Sequence, residues 1–227
     1  MRVCALISGG KDSWYATYVA MQYGFEISTL VTFVPRREDS YMLHHVNVRW
    51  AALQAGLAGI RHSTFEVSGE KEREVEEMRR CLAEVVKNSS AEAIVCGAVR
   101  SDYQKQRIDT ICEELGVKSY APLWHKNEET LLREMVGCGF EFLVTRIAVE
   151  MEEWLGKSVN EKNIDEFIAC TKKERANAIG EGGEYETFLL NAPVFERKIH
   201  VVSSTVVRRN ADVELIFRSL KHVPKAK

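Results

Sequence analysis

Residues 5–16, ALISGGKDSWYA, constrain this chain more than any other stretch. The run before them, RVCALI (2–7), is rich in aliphatic residues and too short for a helix, so it reads as a buried strand. It breaks at Ser8, Gly9 and Gly10, and Lys11, Asp12 and Ser13 follow. Trp14, Tyr18 and Met21 then recur at helical spacing, and Gly24 stands where such a helix would stop. A strand that feeds a helix through two glycines, a lysine and two serines is committed to one kind of architecture, an open α/β sheet with its loops gathered at one edge.

The rest of the first half agrees. Strands are expected at 27–34, 63–67, 92–98 and 118–123, with Pro35 ending the first of these. Between them lie an Ala-rich helical stretch at 48–57, a strongly amphipathic helix at 70–87 and a helix at 102–115 stopped by Gly116. Val75, Met78, Leu82 and Val85 form the apolar face of the 70–87 helix, and its glutamates are expected on a solvated face. Strands alternating with long helices mean βαβ units, hence an α/β fold with a five-stranded parallel doubly wound sheet. Ligands bind such sheets beyond the carboxyl ends of the strands, where Ser8–Ser13, Thr32 and Gly97 would converge.

After Trp124 the character changes to a smaller α+β region, which puts a domain boundary between 1–124 and 125–227. Asn127 is placed to cap a helix through Val136, FEFLVTRIAV (140–149) reads as a long strand, and 160–177 as a charged helix. The runs KIHVVSSTVVRR and DVELIFR, separated by Asn210-Ala211, read as a hairpin.

The glycine turn is not a Walker A loop, because Ala5 and Asp12 occupy the two places where that motif needs Gly and Ser/Thr. Nor is it a GxGxxG fingerprint, since Gly9 and Gly10 are adjacent and no third glycine follows. What remains is a phosphate cradle. Gly9 and Gly10 free the backbone amides to turn toward an anion, Ser8 and Ser13 add hydroxyls, and Lys11 adds a full charge. Asp12 is expected as an N-terminal capper of the helix and as a contact for magnesium.

SGGKDS resembles the SGGxDS signature of the N-type ATP pyrophosphatases, a PP-loop family of HUP-like fold. The resemblance implies that the loop grips the β- and γ-phosphates of ATP while a carboxylate is adenylated and pyrophosphate leaves, with Lys11 and Asp12 as catalytic residues. Two further stretches, GAVRSDYQKQRIDTICEELGVKSYAPLW (97–124) and GEGGEYETF (180–188), resemble the diphthine–ammonia ligases. That family amidates diphthine, a modified histidine of translation elongation factor 2, using ATP and ammonia to give diphthamide, with release of AMP. It implies ATP and Mg2+ as cofactors and the modified elongation factor and ammonium as partners. Ser101, Asp102, Tyr103, Arg107, Glu181, Gly182, Gly183, Glu184, Tyr185, Glu186 and Thr187 become substrate-binding candidates. Diphthine carries a quaternary ammonium, which favours aromatic faces and nearby acids; Tyr185 between Glu184 and Glu186, and Trp124, are the expected providers.

Composition bounds the alternatives. Among 227 residues the formal net charge is −2, which supplies no general attraction to nucleic acid or acidic membranes. No apolar run approaches a membrane span, and no signal-peptide layout is visible, so a cytoplasmic protein is expected. The six cysteines (4, 81, 96, 112, 138, 170) contain no CxxC pair and read as small buried hydrophobes in a reducing compartment. Adjacent His44 and His45 point apart and make no metal pair. Ammonia is expected from solution, with no amidotransferase segment visible. Two rivals stay open, a PP-loop tRNA-thiolating enzyme and a non-catalytic ATP-binding sensor, as does self-association into a homodimer.

Overall fold

The computed structural model describes residues 1–40, 42–209 and 212–225; Tyr41 and the Asn210–Ala211 link of the expected hairpin lie outside the described residues. The chain forms two compact units, Met1–His125 and Lys126–Lys227.

The first unit runs β1 (Arg2–Leu6), α1 (Lys11–Gln22), β2 (Glu26–Pro35), α2 (Ala51–Ala58), β3 (His62–Val67), α3 (Arg73–Ser89), β4 (Ala93–Val95), α4 (Asp102–Glu114) and β5 (Lys118–Tyr120). The strands pair in parallel in the order β3-β2-β1-β4-β5. The strand order reverses between β1 and β4, which makes the carboxyl end of that pair the switch point of the sheet. Residues 29–35 of β2 are all buried, as expected of a strand covered on both faces. Met78, Leu82 and Val85 of α3 pack against Cys4, Val31, Ile94, Ile111 and Cys112. Each such side chain contributes about 1.5–3 kcal/mol on full burial.

Two expectations for this unit need correction. The strands expected at 92–98 and 118–123 shrink to three residues each, because the chain leaves the ladder after Val95 and turns at Gly97. The acidic residues of α3 do not all face water. Glu74 is fully buried, with Oε2 accepting a 2.6 Å hydrogen bond from Ser40 Oγ and Oε1 buried without a hydrogen-bond partner. Burial therefore pushes its carboxyl above the usual range, with Ser40 pulling the other way.

The second unit runs α5 (Glu128–Gly137), β6 (Glu141–Ile147), β7 (Ser158–Val159), α6 (Ile164–Lys173), β8 (Tyr185–Asn191), β9 (Lys198–Arg209) and β10 (Asp212–Val223). Its sheet is antiparallel in the order β7-β6-β10-β9, with β8 paired along β6. Asn127 caps α5 by accepting from Thr130 N at 3.0 Å. The helix expected over 160–177 is shorter at both ends. Asn163 Oδ1 accepts from Asn160 N in a turn before it, and Arg175 at φ +53° follows its last turn. The aromatic core holds Phe167 edge-on to Trp154 (4.9 Å), Tyr185 (5.3 Å) and Phe142 (6.1 Å), geometries that add to plain area burial.

Candidate functional site

The glycine turn lies at the switch point between β1 and α1. Gly9 takes φ +88°, a backbone state that costs glycine little, and Gly10 is the N-cap of α1 in an extended conformation. No side chain caps this helix, so its first amides and the positive end of its dipole are not neutralised by a capping group. The expectation that Asp12 caps the helix is thereby corrected: Asp12 sits inside the first turn, where its charge complements the dipole. Ser8 and Ser13 close the loop on itself. Ser13 Oγ accepts from Ser8 N at 3.2 Å and donates to Gly10 O at 3.1 Å, and the two hydroxyls lie 3.4 Å apart.

Lys11 is 2% exposed, and its Nζ meets Asp12 Oδ2 at 3.0 Å, so a full cation is held at the root of the turn. Gly97 supplies the opposite wall. A Cβ there would fall 2.7 Å from both Cα and N of Ser13, so only glycine lets the β4 segment approach α1 this closely. Thr32 serves differently from expectation. It is 1% exposed and its hydroxyl donates to Ile7 O at 2.9 Å while meeting His62 Nε2 at 2.8 Å, tying β2 to β1 beneath the turn. Burial pushes the His62 imidazole below its ordinary value.

Sequence reasoning missed Gln54. This fully buried side chain of α2 donates from Nε2 to Gly9 O (2.9 Å) and accepts at Oε1 from Trp14 Nε1 (2.8 Å). The carbonyl and the following amide of one peptide point in opposite directions. Gln54 therefore fixes the Gly9–Gly10 peptide, and the Gly10 N–H on its other side donates to Ser8 Oγ at 3.4 Å. The single polar residue within AALQAGLA was the one available signal.

The candidate residues at the start of α4 are drawn together by an unexpected partner. Ser101 caps the helix by accepting from Gln104 N, so Asp102 is its first residue and not the cap. Tyr103 Oη and Arg107 Nη2 both donate to Glu72 Oε1, at 3.1 and 2.6 Å, and the Arg107 guanidinium stacks 3.7 Å from the Tyr103 ring centre. The Arg107 hydrogen bond holds the Glu72 carboxyl below its usual range, while burial and Glu72 raise the Tyr103 phenol. Glu72 itself adopts φ +64°. Lys105 binds Asp109 and lies 5.9 Å from the Trp124 ring.

In the second unit the GEGGEYETF segment folds tightly on its own acids. Glu184 reaches back to accept from Asn177 N (3.0 Å), and its other oxygen is buried without a hydrogen-bond partner. A Cβ on Gly182 would fall 2.7 Å from that carboxylate, and one on Gly180 would fall 2.9 Å from Tyr185 O. Tyr185 is 3% exposed, donates to Ala178 O at 2.6 Å and packs its ring on Phe167. Its expected role as an open aromatic face is not what the packing provides; the ring braces the loop from within. Glu186 pairs with Arg146 (3.5 Å), which also donates to Gly183 O (3.2 Å) and binds Asp212. Thr187 is buried, while Glu181, Gly182 and Gly183 hold the outer part of the turn.

Of the cysteines, Cys4, Cys96 and Cys112 are buried and the other three half-buried; all six are reduced. Burial pushes the Cys4 and Cys112 thiols up to about 12. Among the described residues no cluster of three or more His, Cys, Asp or Glu is placed to hold a metal ion. No helix of the described residues is long and apolar enough to cross a membrane.

An uncapped helix start, a glycine turn and a buried lysine thus lie together at the switch point of a doubly wound α/β sheet. Residues 1–119 match the diphthamide synthase N-terminal domain and residues 127–221 the diphthamide synthase C-terminal domain. The chain belongs to the diphthamide synthase family. Among its relatives, diphthine–ammonia ligase of Homo sapiens is 36% identical over 233 residues, spanning 93% of this chain and 87% of that one. The Danio rerio diphthine–ammonia ligase is 31% identical over 93% of this chain and 91% of the relative. The Schizosaccharomyces pombe enzyme is 31% identical over the whole of this chain, which corresponds to 40% of its own length.

Proposed function

We propose that this chain is a diphthine–ammonia ligase, converting diphthine on translation elongation factor 2 to diphthamide with ATP and ammonia. The observation that carries the reading is the turn at 8–13, in a chain whose two halves both match the diphthamide synthase family. ATP supplies an activated carboxylate: a diphthine carboxylate oxygen bonds to the α-phosphorus, the bond to the β-phosphate oxygen breaks, and pyrophosphate leaves. Ammonia then adds to the acyl carbon, AMP leaves with the C–O electron pair, and one proton from the nitrogen goes to solvent.

The residues at the turn suit the departing group. Charge grows on pyrophosphate as it leaves, and preorganised amides and a cation stabilise that charge more than they stabilise bound ATP. The start of α1 and Lys11 supply them, with Ser8 and Ser13 holding the loop in shape through their bonds to Gly10. Gly97 holds the wall of the turn in place, because any Cβ there would collide with the backbone of Asp12 and Ser13. Mg2+ would enter with the phosphates and neutralise their charge, and Asp12 is the residue of the turn that would contact it.

Residues 1–124 act as the nucleotide domain and 125–227 as the domain that receives the protein substrate. Glu181–Thr187 and the Tyr103–Arg107 pair are assigned to diphthine and its carrier, with Tyr185 bracing from behind and Arg107 exchanging Glu72 for an anionic group. The compartment is the cytoplasm, with the translation factor. Incubation with ATP, Mg2+, ammonium and diphthine-bearing elongation factor 2 tests this: AMP, pyrophosphate and amidated factor should appear together. Turnover dependent on tRNA would favour a thiolating enzyme, and nucleotide binding without turnover a sensor; either would replace the reading.

A further inference from the structure

We propose that β9 is a self-association edge: two copies of the chain pair their β9 strands antiparallel, about a two-fold axis through Ser204, and so join their C-terminal sheets. The strand is the terminal member of its sheet, bonded along one side to β10 and, among the described residues, to no strand along the other. Folded proteins normally protect such an edge with charges, proline or short length. Residues 201–207, VVSSTVV, carry no charge and no proline, and the whole strand is 12 residues long. Val202 and Val206 are 54% and 53% exposed, two of the four large hydrophobic side chains exposed among the described residues.

What singles out a second copy as the occupant is the order of side chains. Around Ser204 the segment reads the same in both directions but for one Ser/Thr exchange. An antiparallel pairing centred there sets Val201 against Val207, Val202 against Val206, and Ser203 against Thr205, in both halves at once. Like β-branched and hydroxyl pairs directly opposite one another are the pairs that stabilise antiparallel ladders. A shift of two residues would set valine against serine or threonine, and a shift of one would reverse the faces. An isologous dimer requires this kind of self-complementary surface.

The flanking charges do not oppose it. His200 would lie opposite Arg208, and Arg208 is already bound in two-pronged fashion by Glu152 of its own chain at 2.8 and 2.7 Å. Ile199 would lie opposite Arg209, which pairs with Glu214 at 3.4 Å. Two of the three hydroxyls inside the segment have partners within the chain, Ser203 with Ser219 and Thr205 with Arg218. An edge of this length falls toward the small end of specific interfaces, below about 1,200 Å2. Association is therefore reversible and follows concentration.

Sedimentation velocity on the full chain between about 1 and 200 µM should show mass rising from one chain toward two. Val202→Lys/Val206→Lys and Val202→Glu/Val206→Glu should each stay single, because like charges then face each other, and an equimolar mixture should pair at least about tenfold more tightly than either alone. Recovery on mixing requires folded chains, so misfolding cannot imitate it. Independently, oxidation of Ser204→Cys should give a covalent dimer, since directly opposed Cβ atoms lie about 4.5–5.5 Å apart, close to disulfide reach, whereas Ser203→Cys should not. A wild type that remains single throughout, leaving the edge to a strand of another protein, would overturn the proposal. So would charge variants that still pair.

Discussion

Two glycine pairs with neighbouring acids lie in this chain, Gly9-Gly10 and Gly182-Gly183, and they are used in opposite ways. The first pair shapes a turn at an uncapped helix start: Gly97 presses against that start, and Gln54 holds the Gly9 carbonyl. The second pair makes room that the chain itself fills, with the Glu184 carboxylate tucked under Gly182 and the Tyr185 ring under Gly180. Similar composition therefore shapes a helix start in one place and a self-packed loop in the other. Only the side chains that arrive from elsewhere distinguish the two.

The largest expected effect separates the pairs directly. Gly97→Val puts carbon against the backbone of Ser13, which has no rotamer to retreat into, and should lower AMP formation by about 10³-fold or more through the misplaced turn. Gly183→Ala meets open space and only the strain of φ +83°, about 1–2 kcal/mol, and should leave the KM for ATP nearly unchanged. Equal damage to the KM for ATP from both would erase the contrast. Lys11→Met keeps the buried stem and deletes the charge; pyrophosphate release should fall about 10²–10³-fold, as measured by a coupled phosphate assay.

Gln54→Glu retains the acceptor for Trp14 and loses the donor to Gly9 O. The KM for ATP should rise about tenfold, equivalent to about 1.4 kcal/mol, with the KM for elongation factor unmoved. An unchanged KM for ATP would show that Gly9 holds its orientation without help. Tyr185→Phe deletes one buried hydrogen bond and strands the Ala178 carbonyl, costing about 1 kcal/mol of stability. It should weaken the protein substrate and spare ATP; the reverse would exchange the roles assigned to the two loops.

The smallest effect concerns Glu74, which accepts a hydrogen bond from Ser40. Its folded carboxyl holds a proton to higher pH than the unfolded one, so its contribution to stability is complete at low pH. That contribution is lost as pH rises from the ordinary carboxylate range through the raised value. Glu74→Gln cannot ionise, so its melting temperature should gain on wild type across that window. Parallel curves would show that the ionised side chain is accommodated without cost.

The sequence by itself determined the parallel sheet and the glycine turn that leads from its first strand into a helix, because each rests on local rules: alternation of strand and helix, and glycine where φ is positive. Even the hairpin strand KIHVVSSTVVRR and the Asn127 cap are local patterns of this kind. Tertiary structure alone decided what those segments meet. Gln54 reaches Gly9 across 45 residues, Glu72 gathers Tyr103 and Arg107 across more than 30, and Arg146 fastens Gly183 and Asp212. Thr32 and Tyr185, legible as ligand contacts, became internal ties because each found a buried carbonyl first. A side chain's partner depends on which distant backbone arrives beside it, and spacing along the chain carries no record of that.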